Sequence, residues 1–301
     1  MNRGIIAACT VAVALAVTAT GCTHEGASEQ GWKRDATPAE RLRISDAVQV
    51  LTERCMERQG FRYWPGVRLS QEESRVAGYV NDDVAWAAAH GYGSRIDEKA
   101  DRARRANPNG KYRAGLPPRR RAAYDKALDG GPDTPVVTAE VPTPNGTGRI
   151  GKRLGGCSAE AEEKLFGDAA AWFRADKAVT SLQGLYVPRI TRDAKFTAAL
   201  ADWSRCMGRA GHPYPDPPAA RDAVARKSAG LPRDEAFVAE KRVAVAEARC
   251  ARESSLAAVA RERETYYRDR LPDRYRELIG THRRLEHQAY VRATGLAGPR
   301  V

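Results

Sequence analysis

The sequence predicts an all-α fold, mainly helical with long irregular loops, built as two disulfide-stapled helical halves. Three observations predict it. Aromatic residues make up only 7% of the chain, while alanine-rich runs with one apolar stripe recur along it; that is the pattern of amphipathic helices. The phrase RCMERQGFRYWP at Arg54–Pro65 returns as RCMGRAGHPYP at Arg205–Pro215, with Arg, Cys, Met, Arg, Gly and Tyr at matching offsets. Past the N-terminal segment, four cysteines remain, Cys55, Cys157, Cys206 and Cys250. An even count in an exported chain reads as disulfides, and four cysteines allow three pairings.

Export is read from the first residues, MNRGIIAACTVAVALAVTATGC. Arg3 supplies the positive start. Residues 5–19 form an apolar run of 15, too short to span a bilayer and right for a signal-peptide core. The run ends at Ala19-Thr20-Gly21-Cys22, small residues before a cysteine. This run resembles the lipobox of bacterial lipoproteins, and that resemblance implies a signal peptide over 1–21 and a diacylglyceryl anchor on Cys22 at the extracytoplasmic face of the membrane. Two acyl chains on one residue anchor stably where one is marginal. The alternative is a plain secretory signal cut at the same bond, which leaves Cys22 free. Residues 22–36 then serve as anchor and tether, with a reach of roughly 20 Å.

The first half is placed at 37–185. Thr37 caps, Pro38 suits the first turn and Glu40 completes a capping box. Ile44, Val48, Leu51 and Cys55 fall on one face, and Gly60 ends the helix in a left-handed C-cap. Asp82 and Asp83 read as the start of a helix over 82–90, through capping and the dipole. Helices follow at 94–106, 119–128 and 158–181. Residues 129–156 hold seven Gly and four Pro in 28, and read as a loop with a short Val136–Val141 strand.

The second half is placed at 186–301. Phe196, Leu200, Trp203, Met207 and Ala210 make a stripe with Cys206 beside it, and Gly211 stops the helix. Further helices are expected at 217–229, 234–270 and 274–294. The last carries Tyr275, Leu278, Ile279, His282, Leu285 and Ala289 on one stripe. A duplicated unit keeps its bridge inside itself, so the expected pairs are Cys55–Cys157 and Cys206–Cys250. The pairings that tie the halves together remain open at this point.

Motifs that resemble chemistry are weak. GTGRIGK at Gly146–Lys152 matches G-x-G-x-x-G, but a phosphate cradle needs a strand before it and a helix at its end. His282 and His287 are five apart, whereas two ligands on one helix face need a spacing of four. They read as a stripe residue and a surface residue, and no metal site or cofactor is assigned. The remaining excess is basic. Residues 99–126 carry ten Lys or Arg against two Asp, +8 of a net charge that is +12 before Arg3 leaves and +11 after. Arg102, Arg104, Arg105, Arg113, Arg119, Arg120 and Arg121 form the candidate patch for phospholipid headgroups or an anionic wall polymer. A solvated face is the plain alternative. Nucleic acid is disfavoured by the exported address and by the lack of interleaved aromatics.

The small-residue cysteine site, the C-M-x-x-x-G-x-x-Y phrase, AHGYG at Ala89–Gly93 and GGCSAEAEEKLFG at Gly155–Gly167 together resemble a group of uncharacterised actinobacterial secreted lipoproteins of paired-cysteine helical type. The resemblance spans nearly the whole chain and implies no activity for any residue. The expected role is a non-enzymatic interaction or scaffolding module of the cell envelope. The competing roles are an envelope enzyme acting on wall or lipid, marked by convergent titratable groups in one pocket, and a solute-binding lipoprotein.

Overall fold

The computed structural model describes residues 32–75, 78–143 and 146–296. The targeting segment and Cys22 lie outside them. The chain runs through α1 (Pro38–Arg58), α2 (Val84–His90), α3 (Ser94–Ala106), α4 (Pro108–Gly115) and α5 (Pro118–Asp129). A hairpin of β1 (Val136–Thr143) and β2 (Gly146–Arg153) follows. Then come α6 (Gly156–Phe166), α7 (Ala169–Ser181), α8 (Gln183–Ile190), α9 (Ala194–Arg209) and α10 (Pro217–Ser228), and last α11 (Arg233–Glu253), α12 (Leu256–Arg268) and α13 (Asp273–Leu296).

The α1 capping box is present. Glu40 N donates to Thr37 Oγ1 at 3.2 Å, and Thr37 N to Glu40 Oε2 at 2.6 Å. Asp83 caps α2 by accepting from Trp86 N at 3.0 Å. Two expected helices are divided. The 158–181 helix breaks at Gly167, where φ is +83°, and Asp168 caps the next segment on Ala171 N at 2.7 Å. The 234–270 helix breaks at Ser254-Ser255, with Ser255 at φ +57°. The short α4 and α8 were not expected.

The expected loop over 129–156 is largely a hairpin, with Val136 opposite Arg153 and Thr143 opposite Gly146 in antiparallel register. Ala139 and Val141 are buried and β1 packs on α7, while β2 is mostly exposed. The G-x-G-x-x-G run therefore lies in a strand and makes no phosphate cradle. Beyond it the chain passes close to the end of α5. A Cβ on Gly156 would meet Ala127 O at 2.5 Å, and Gly156 has φ +61°. Only glycine fits there, and Cys157 follows at once.

Both expected disulfides are present, Cys55–Cys157 and Cys206–Cys250, with Cα separations of 5.4 and 5.5 Å. The repeated phrase is a helix terminus built twice. Phe61 N bonds Met56 O and Gly60 N bonds Glu57 O; His212 N bonds Met207 O and Gly211 N bonds Gly208 O. These are the paired bonds of the Schellman motif, with Gly60 at φ +75° and Gly211 at φ +82°. Each copy adds a second tie. Arg58, three residues past its cysteine, pairs with Glu160, three past Cys157. Arg209 pairs with Glu253, three past Cys250. Each carboxylate also lies against a bridge sulfur, at 3.1 Å from Cys55 Sγ and 3.4 Å from Cys206 Sγ. A disulfide sulfur carries no proton, so these are contacts rather than hydrogen bonds.

The largest core gathers α8 to α13 around Trp203, Phe196, Met207 and Leu256. A second joins Ile44, Ala47 and Leu51 of α1 to Ala161 and Leu165 of α6 and to Leu285, Ala289 and Ala293 of α13. A third surrounds Cys55–Cys157 with Met56, Phe61 and Tyr124. Ala87 of α2 packs on Ala244 and Ala248 of α11. Thus α13 returns to α1, and α2 reaches forward to α11. His282 is buried in the α13 stripe and stacks on Trp172, with ring centroids 4.8 Å apart. His287 is half-buried and its Nε2 has no hydrogen-bond partner among the described residues, so it is not the surface residue expected. The residues nearest it in sequence belong to the face that packs on α1 and α6.

Candidate functional site

The seven arginines of the basic run lie on α3, α4 and α5, and most have internal partners. Arg102 pairs with Glu98 at 3.4 Å, Arg104 with Asp101, and Arg113 grips both Asp125 oxygens at 2.6 Å. Arg120 donates to Gly60 O at 3.0 Å and lies over the Phe61 ring, so it supports the first turn motif. Arg121 donates to Ala114 O and Leu116 O at 2.9 and 3.2 Å, which satisfies carbonyls at the end of α4. Arg105 and Arg119 are exposed with no ion pair or hydrogen bond among the described residues, as is Lys111.

The titratable groups converge most in a cleft of about 510 Å³ lined by Tyr92, Ser94, Arg221 and Glu240. The N-cap of α3 is Gly93, which offers no side chain. Glu240 of α11 does that work from outside, accepting from Tyr92 N at 2.6 Å and Ser94 N at 3.2 Å. Behind it, buried Glu247 accepts from Tyr92 OH at 2.8 Å and from Arg221 Nη2 at 2.9 Å. Burial pushes the Glu247 carboxyl above its ordinary range, and Arg221 opposes that shift. Burial also raises Tyr92, with the Glu247 charge adding to it. Arg221 further holds Gly78 O and Tyr79 O at 3.1 and 3.2 Å. The bonds of these groups run inward and tie α2, α3, α10 and α11 together.

A different surface is cationic, and two of its arginines have no ion pair among the described residues. A groove of about 740 Å³ runs along α11 beside Cys206–Cys250, flanked by Ala88 of α2 and by Arg209 and His212 at the end of α9. Val238, Val245 and Ala246 give it an apolar floor, and Lys241, Arg242 and Arg249 its charge. Arg242 and Arg249 have no ion pair or hydrogen bond among the described residues. Lys241 Nζ lies 4.9 Å from the centre of the Phe237 ring. Burial lowers the His212 pKa, and the charges of Arg242 and Lys227 lower it further, so His212 is neutral at neutral pH. The sequence signal for this groove was the one-face series Val238, Lys241-Arg242, Val245, Arg249. It lies in a helix of mixed charge, so it carries no local charge excess.

Comparison with known proteins finds no matching family, no matching curated protein and no matching solved structure.

Proposed function

We propose that the chain is a lipid-anchored module on the extracytoplasmic face of the membrane, acting by binding a phosphate-bearing anionic surface rather than by catalysis. One observation carries the binding reading. The carboxylates of the Tyr92–Glu240–Glu247–Arg221 cluster are consumed by internal bonds, whereas exposed cations on α3, α4, α5 and α11 have no ion pair or hydrogen bond among the described residues. The signal core and the small-residue cysteine site support the address. The two staples suit a body that must hold its shape outside the cell.

Anchoring is tested directly. The mature protein should partition into the detergent phase of Triton X-114, and Cys22→Ala should release it to the medium or leave an uncleaved precursor. Recovery of the mature wild type in the aqueous phase would refute the anchor.

The charge reading needs variants that spare Arg120 and Arg121, which hold the fold. Converting Arg105, Lys111 and Arg119 to Gln should weaken binding to an anionic surface by roughly 3 kcal/mol at low salt, at about 1 kcal/mol per residue. Phosphatidylglycerol vesicles and purified wall, assayed separately, distinguish a headgroup from a wall phosphate. Unchanged binding to both returns these residues to a solvated face.

A further inference from the structure

The α11 groove has the form of a track rather than a pocket. From Val238 to Glu253 it follows about 22 Å of helical rise, and Arg242 and Arg249 stand about 10.5 Å apart along the axis. Its positive charge comes at two stations, Lys241-Arg242 and Arg249, with the apolar Val245 and Ala246 between them. We propose that this groove seats a single extended chain of repeating phosphodiesters, with phosphates at the two stations and carbon skeleton over the apolar floor.

The inference rests on the binding-module reading above and names the ligand for one site. Three physical points support it. Guanidiniums offer a planar fork of donors that matches phosphate oxygens; those of Arg242 and Arg249 have no ion pair among the described residues, and the groove's carboxylate, Glu253, is paired with Arg209. Both stations lie along one helix, α11, beside the end of α9, so one linear polymer can reach the two at once. A lone phosphate fills one station and leaves the other empty. The site is also preformed: Cys206–Cys250 lines it, and Arg209–Glu253 ties α9 to α11 at its end. Little ordering is then needed on binding.

The test uses the full mature protein in detergent, titrated with poly(glycerol phosphate), with sodium polyphosphate, with inorganic phosphate alone and with phosphatidylglycerol vesicles. Poly(glycerol phosphate) should bind far more tightly than inorganic phosphate, and more tightly than polyphosphate, whose phosphoanhydride chain has no carbon skeleton to lie over Val245 and Ala246. Lys241→Gln, Arg242→Gln and Arg249→Gln together should weaken polymer binding on the order of 100-fold at low salt. They should also flatten its salt dependence by about one counterion per cation removed. If that variant misfolds, Val238→Glu substitutes for it. Val238 is 53% exposed, so the change leaves the core alone and sets an anion at the end of the track. The inference is overturned if groove variants bind polymer like wild type, or if vesicle binding is as tight and falls equally. Loss in the Arg105/Lys111/Arg119 variant alone would sink the groove and leave the proposed function standing. No binding to any polymer or vesicle would sink both.

Discussion

Replacing Cys55 and Cys157 together by alanine should lower the unfolding free energy by roughly 4.7 kcal/mol. The bridge closes 102 residues, and in the chain-entropy treatment a loop of that size restricts the unfolded chain by about that amount. The Cys206–Cys250 bridge closes 44 residues, which gives about 4 kcal/mol. The predicted order is therefore fixed by loop length, with a gap of about 0.7 kcal/mol. Packing acts in the same direction. Cys55 and Cys157 are 2% and 1% exposed, in a small core with Met56, Phe61 and Tyr124, so alanine leaves a void there too. The Arg58–Glu160 pair remains in the variant but is exposed, and such pairs contribute at most about 1 kcal/mol. Urea unfolding of the two double variants against wild type measures this. A loss under about 1 kcal/mol for the longer loop would show that the staple is not what holds α1 to α6. Against a total of roughly 5–15 kcal/mol, either bridge carries between about a quarter and nearly all of the stability.

What the sequence made legible follows from how local the determinants were. The staples could be read because the phrase that builds them is local: a cysteine one turn before a glycine, with an arginine between, needs only its own helix end. The partner signature, Cys157-x-x-Glu160 and Cys250-x-x-Glu253, was equally local but gains meaning only once the two helix pairs are seen side by side. The hairpin was missed for the opposite reason. Its β2 strand, GTGRIGKR, buries almost nothing and shows no alternation, because one face meets solvent and the glycines lie close to Val136 and Val141 side chains. The basic run was legible as charge, yet its field depended on distant carbonyls and carboxylates. Arg120 reaches Gly60 and Lys99 reaches Glu73, contacts that no window of sequence contains. The α11 groove needed α9 and α2 in place before its face could be seen as a trough.

The second large effect is expected at Arg221. Arg221→Met should cost about 3–5 kcal/mol at neutral pH, because it strands a carboxylate that burial has already made unfavourable. The Glu247 side chain is 1% exposed and Arg221 is its cation, at 2.9 Å. The same change frees Gly78 O and Tyr79 O, which Arg221 holds. The pH dependence has a definite sign. Burial raises the Glu247 pKa in the folded state, so folding takes up a proton between the ordinary glutamate value and that raised value. The Glu247 contribution to stability is therefore greatest below the ordinary value and falls as pH rises through the folded one. Removing Arg221 takes away the largest opposing influence and pushes the folded value higher still. The penalty of Arg221→Met should then shrink in mildly acidic buffer, where Glu247 in the variant is protonated, and reach its full size at neutral pH. Glu247→Gln should cost less. Arg221 is 26% exposed and keeps its two carbonyl acceptors, so its charge is not stranded. Combining Arg221→Met with Glu247→Leu should recover much of the loss, because no buried charge is then left alone. Urea melts of the three variants at neutral and mildly acidic pH check the argument. A penalty for Arg221→Met that is the same at both pH values would mean that its bonds to Gly78 and Tyr79, not the Glu247 charge, are what the fold loses.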